Sequence, residues 1–314
     1  MKKSKGMQLG AMLAAMLLVG IAFVPAVSAQ ELNGQKIPDR VDKATLDDRT
    51  PPIIKELRNK GFKEAQIAQT ILNISIKYQE GWTDEDNKRV VGYFQKIKKG
   101  LKNNTIQTIG TQAVAQKDGR MVIYEENYRG INGYIRPGPM EVSSSGTQYQ
   151  YFTSHLGAAG KWIEVGVARF YWNPNEYVVY TYDSTQPAGQ EWRTWGIVNP
   201  NIDNNFEIYV HNFNDGQGYP YYMAWNGTVI RTGHVPFATG NPDENHEYFA
   251  ASDSSFTPVS VAYFKDSYLY RGNTALWWNS YLPETTQSYG LSPVQVSRYI
   301  PSGSNAYKID SWIP

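Results

Sequence analysis

From about residue 111 to the end of the chain, apolar and polar residues alternate in short runs separated by Gly, Pro, Asn and Asp. A period of two is the signature of a strand with one buried face. The pattern predicts strands over 121–125, 148–153, 162–171, 177–183, 206–212, 219–225, 228–232, 248–251, 259–270 and 297–300. So many strands without intervening helices imply a mainly β protein, an antiparallel β-sandwich of the jelly-roll or concanavalin-like kind.

Residues 31 to about 110 follow a different period. Thr50 before Pro51-Pro52 predicts a capped helix running through Arg58 and broken by Gly61. Ile67, Ile71, Ile74 and Tyr78 recur at helical spacing in a second segment. Thr83-Asp84-Glu85-Asp86 opens a third that carries Val90, Val91, Phe94 and Ile97. Three short amphipathic helices are thus expected ahead of the sandwich.

The first residues read as an export signal. Lys2, Lys3 and Lys5 precede an apolar run from Met7 to Val24, and Val27-Ser28-Ala29 supplies small residues for cleavage. The expected organisation is a signal peptide over 1–29, a helical pro-segment or accessory domain over 30–110 and a β-sandwich over 111–314. The chain is then secreted or held at the cell surface, with no stable membrane insertion after cleavage. Asn73, Asn103 and Asn226 stand in Asn-x-Ser/Thr sequons.

Composition narrows the chemistry. With no Cys among 314 residues, disulfides, thiolate metal sites and a cysteine nucleophile are excluded. The four His, at 155, 211, 234 and 246, form neither HExxH nor HxH, so neither a metal nor a cofactor is called for. Charge divides at the boundary between the halves. Residues 31–120 carry 17 Lys and Arg against 12 Asp and Glu, whereas residues 121–314 carry 10 against 17. A basic segment beside an acidic domain implies mutual attraction, as in an intramolecular pro-segment that covers an acidic cleft and lets go in acid. Export argues against nucleic acid as the partner of the basic segment.

The stretch KWIEVGVARFYW at 161–172 poses the central question. Trp162, Glu164, Gly166 and Ala168 share one face of the expected strand, with Ile163, Val165 and Val167 on the other. Glu164 is therefore either a cross-strand ion-pair partner on a solvated face or a carboxylate held in a cleft. IEVGV at 163–167 is followed by YVVYTYD at 177–183, by FEIYVHNFNDGQGYPYYMAWNGTVI at 206–230 and by HEYFAASDSSFTPVSVAYF at 246–264.

That order resembles the β-sandwich glutamic peptidases, both the neprosin-like and the eqolisin-like groups, over roughly residues 130–270. The resemblance implies a catalytic glutamate at Glu164, matching an IEAGW-type strand. It implies a second at Glu247, where HEYF looks like the later glutamate-bearing segment of the eqolisin group. WNGT at 225–228 has no acid where neprosin-like proteins carry WGGE, and the cysteines of that group are absent.

A pair of carboxyl groups can split an amide without a metal. One takes a proton from water and the other protonates the leaving nitrogen, provided their environments separate their pKa values. Glu164 is assigned as base and Glu247 as acid, with the roles exchangeable. Trp162, Tyr180, Tyr182 and Trp225 are expected to line a cleft for a polypeptide substrate. The other reading of Glu247 is an acidic turn, since it ends PDENHE. The alternative function is a non-catalytic carbohydrate-binding or adhesive sandwich using Trp192, Trp195, Trp225, Trp277 and Trp278 as sugar-stacking surfaces.

Overall fold

A computed structural model describes residues 49–73, 115–138, 149–170, 173–187, 190–250, 256 and 258–314. The signal-like residues 1–29, the helix expected over 83–97 and the rest of the basic segment to residue 114 lie outside the described residues. Two short helices, α1 (Pro52–Asn59) and α2 (Glu64–Leu72), precede the sheets. Fifteen strands follow: β1 (Ala115–Val122), β2 (Gly130–Arg136), β3 (Tyr149–Ala158), β4 (Lys161–Phe170), β5 (Asn173–Asp183), β6 (Trp192–Val198), β7 (Asn204–Val210), β8 (Tyr219–Trp225), β9 (Thr228–Val235), β10 (Asn241–Ala250), β11 (Val259–Arg271), β12 (Thr274–Trp277), β13 (Gln287–Gly290), β14 (Gln295–Tyr299) and β15 (Lys308–Ile313).

The strands form two antiparallel sheets packed as a sandwich. One has the order β13-β1-β10-β3-β4-β5-β6; the other runs β14-β15-β11-β2-β7-β8-β9, with β12 paired to β11. Strand alternation explains the packing between them. Ile163, Val165 and Val167 of β4 and Val179 of β5 meet Ile131 and Ile135 of β2, Phe206 and Ile208 of β7 and Phe264 and Leu269 of β11 in one core. Each such side chain contributes about 1.5–3 kcal/mol by leaving water. The expected sandwich is the observed architecture.

Several boundaries move, for identifiable reasons. Residues 241–247 are not an acidic turn but the first half of β10, an interior strand paired on both sides by β1 and β3. GINGYIR at 130–136, outside the expected strands, is the central strand β2. A Cβ at Gly130 would stand 2.2 Å from the Ile208 carbonyl oxygen, so glycine is what lets β2 and β7 close on one another. The cap of α1 falls on Pro51 instead of Thr50. Gly61 does break the helical segment, at φ 79°, a left-handed conformation that costs glycine little.

The helices pack on the outer face of the second sheet. Ile54, Ile67 and Ile71 cluster with Tyr209, Tyr222, Ala224, Val229, Tyr268 and Tyr270. Glu64 ties this contact to β7's end through His211 Nδ1 at 3.1 Å, and Arg58 Nε lies 3.3 Å from the same carboxyl group. Beneath them Glu207 is fully buried, accepting hydrogen bonds from the Tyr222 and Tyr270 hydroxyls, and burial pushes it up to about 7. Residues 49–73 therefore seal an aromatic surface on the side of the sandwich away from Glu164.

The core supplies a direct check. Ile208→Ala, at a fully buried position between β2 and β8, is expected to lower the unfolding free energy by about 2–5 kcal/mol, read from the denaturant midpoint at unchanged slope.

Candidate active site

The outer face of the first sheet is polar; its inner face is apolar around Ile163, Val165, Val167 and Val179, with Glu244 and Asp183 buried against Ser267 and Tyr221 of the other sheet. Because paired residues in adjacent strands point the same way, the register lays down rows across it. One row runs Asp243, His155, Glu164, Tyr182, Trp192 over β10, β3, β4, β5 and β6. The next runs Tyr289, Arg120, Asn245, Thr153, Gly166, Tyr180, Thr194. A third places Asp118 beside Glu247. Glu164 and Glu247 thus stand on the same face, on β4 and β10, with β3 between them.

Hydrogen bonds give the two carboxyl groups different surroundings. Glu164 accepts from Trp162 Nε1 at 2.5 Å and from the Tyr180 hydroxyl at 3.3 Å, and both donors favour its ionised form. Glu247 accepts from Asn245 Nδ2 at 2.7 Å. Burial pushes Glu164 up to about 7 despite those donors. It pushes Glu247 up to about 8, and the charge of Glu164 adds to that shift, so the two groups feel one another. Tyr180 lies within the field of both, and burial followed by Glu164 raises its hydroxyl well above the ordinary value.

An aromatic wall stands on the β4–β6 side. Trp162 stacks on Tyr182 at 5.4 Å between ring centroids, and Trp192 lies 4.9 Å from both Tyr180 and Tyr182. Trp162, Tyr182 and Trp192 are partly exposed, whereas Tyr180 is buried. The opposite side is acidic and carries one cation. Arg120 Nε lies 3.2 Å from Asp243 Oδ2 and 3.4 Å from Asp118 Oδ2. Burial raises Asp243 to about 6 and holds His155 down to about 3, leaving the imidazole neutral.

Trp225 does not belong to this site. It sits on β8 in the opposite sheet, where its ring joins the core between the sheets and its Nε1 donates to Asn204 at 3.3 Å. Its position in β8 points it inward, which a strand-by-strand reading without sheet order could not decide. Trp162, Tyr180 and Tyr182 all lie on the glutamate face. Sequence reasoning did not bring Asp118, Arg120, Asp243, Asn245 and His155 to the glutamates; the register unites them.

No group of side chains suited to hold a metal occurs among the described residues. His211 faces Glu64, His234 lies 2.8 Å from Asp215 and His246 hydrogen-bonds Tyr248, so these three do not converge.

No family model and no curated protein matches the sequence. Among solved structures the chain bears a distant likeness to scytalido-glutamic peptidase bound to a transition state analog inhibitor, at 8% identity and TM-score 0.43, covering 64% of this chain and 100% of that one. SCP-B, an eqolisin peptidase in complex with the tripeptide Ala-Ile-His, matches over the same shares at 7% identity and TM-score 0.43. The β-glucanase of Bacillus licheniformis follows at 12% identity and TM-score 0.27, with 55% of this chain and 81% of that one covered. These similarities concern the path of the chain, and the chemistry rests on the residues themselves. Among the described residues no helix is long and apolar enough to cross a membrane.

The raised carboxyl groups imply a measurable cost. A glutamate whose folded pKa is about 8, against ~4.3 when unfolded, gives its full stability below the unfolded value and loses it as pH rises through the folded one. Glu247→Gln removes that loss. The variant's stability relative to wild type is expected to grow by about 1 kcal/mol per pH unit between pH 5 and pH 8, as read from urea denaturation across that range.

Proposed function

We propose that the chain is an exported endopeptidase of the glutamic type, cleaving polypeptides with Glu164, Glu247 and an activated water. The observation that carries the reading is that two glutamates share one partly open sheet face, with two side-chain donors on Glu164 and one on Glu247. Glu164, with two donors on its oxygens, ionises first and serves as base. Glu247, the more strongly raised, keeps its proton and serves as acid.

The steps balance with these two groups. Glu164 takes a proton from water as its oxygen attacks the peptide carbonyl carbon. Glu247 hydrogen-bonds the developing oxyanion and then passes its proton to the leaving nitrogen as the C–N bond breaks. The new carboxylic acid and amine depart, and proton exchange with solvent restores the pair. Trp162, Tyr182 and Trp192 form a wall against which an extended substrate lies, and exclusion of water there strengthens the electrostatics of the pair.

Export rests on the charged and apolar pattern of residues 1–29. A pro-segment over 30–110 remains part of the proposal as an accessory to folding, but not as an acid-released cover of the glutamates over residues 49–73. Those residues pack on the other sheet, and at pH 3–5 both glutamates would be protonated, leaving no base. The carbohydrate-binding alternative loses most of its surfaces, since Trp195, Trp225 and Trp278 are buried and Trp277 packs against the helical cluster.

Cleavage of denatured casein, followed on gels from pH 3 to pH 10, tests the proposal. Activity is expected to peak near pH 7–8, where one carboxyl group is ionised and the other is not. Glu164→Gln and Glu247→Gln should each lower it by about 10²–10⁴-fold. Intact casein at every pH, together with binding to a glycan array, overturns the peptidase reading in favour of sugar recognition.

A further inference from the structure

The acidic side of the glutamate face contains a cation that the proposed steps do not use. Arg120 projects from β1 in the row between Tyr289 and Asn245. Its Nε lies between Asp118 and Asp243 without a hydrogen bond to either. It is the one cationic side chain among the described positions of the three rows that carry Glu164 and Glu247. A guanidinium cannot give up its proton here, because Asp243 and Asp118 hold it charged against burial.

The carboxyl groups around it are in the opposite position. Asp243 on β10 and Glu247 four residues along the same strand face it from one side, and Glu164 on β4 feels its field across β3. From β3 the neutral His155 faces it, and from β13 the Tyr289 hydroxyl. Tyr180 on β5 donates its hydroxyl hydrogen bond to Glu164, the far glutamate. Four carboxyl groups therefore share one fixed positive charge on a face with little water.

We propose that Arg120, clamped between Asp118 and Asp243, is a positioning residue whose fixed charge sets the ionisation of the Glu164–Glu247 pair. This rests on the peptidase reading of the same face. Arg120 touches no substrate in this account. It lets one glutamate carry charge near neutral pH, and the two aspartates hold it by their placement, one cross-strand from Glu247 and the other two residues before Asn245. Asn245, cross-strand from Arg120, donates its Nδ2 hydrogen bond to Glu247.

The sign of the effect makes the proposal testable. Taking away a positive charge raises nearby carboxyl pKa values, and taking away a negative one lowers them, by about one unit. The pH profile of kcat/KM on fluorescein-labelled denatured casein is expected to move up by about one pH unit on both limbs in Arg120→Gln. It should stay in place in Arg120→Lys, and move down in Asp118→Asn. A residue that only braces the fold would lower the rate without moving the profile.

An active Arg120→Gln enzyme with the wild-type profile overturns the assignment and leaves the peptidase reading standing. If Arg120→Gln does not fold, an unmoved profile in Asp118→Asn overturns it equally. A wild-type chain that cleaves nothing at any pH sinks both.

Discussion

Two carboxyl groups on one face of a sheet, partly shielded from water and within each other's field, cannot both ionise freely near neutral pH, and the rest of the site is arranged around that constraint. Glu164 receives donors from Trp162 and Tyr180 that favour its charge, while Glu247 receives one from Asn245 and feels the charge of Glu164. In the proposed reaction, the separation of their proton affinities is what lets two like groups serve as base and acid. The sandwich behind them fixes their spacing, because Ile163 and Val165 on either side of Glu164 are locked in the core.

The two outer faces of the sandwich solve different problems. The eight-stranded sheet presents tyrosines and Glu207, which the α1–α2 pair covers through Ile54, Ile67 and Ile71. The seven-stranded sheet presents carboxyl groups, Arg120 and the Trp162–Tyr182–Trp192 wall. On these grounds the described helices act as part of the folded body. Removing them would uncover an aromatic surface and a buried carboxyl group on the far side from the glutamates.

Much of this was legible in the chain itself. β-branched and aromatic alternation in IEVGV and YVVYTYD marked β4 and β5, and it put Glu164 opposite the core without any knowledge of the partner strands. No strand was expected over 130–136, because Gly130 and Gly133 interrupt the β-branched alternation there; Gly130 is what admits Ile208 of β7. Pro242 and three acids made 242–247 look like a turn, yet Asp243 and Glu247 alternate on the outer face of an interior strand, while Glu244 points between the sheets and accepts from the Ser267 hydroxyl. Arg120 and Asp118, in the turn-like KDGR, become site residues only through pairing with β10. That pairing spans more than a hundred residues, and no local pattern encodes it.

The central claim concerns coupling, and carboxyl carbon titration of selectively ¹³C-labelled glutamate measures it most directly. The account predicts that Glu164 and Glu247 titrate well above the ordinary glutamate range, near 7 and 8, and that Glu247 moves down when Glu164 is replaced by Gln. Two carboxyl groups that each titrate near ~4.3, unmoved by substitution of the other, would contradict it.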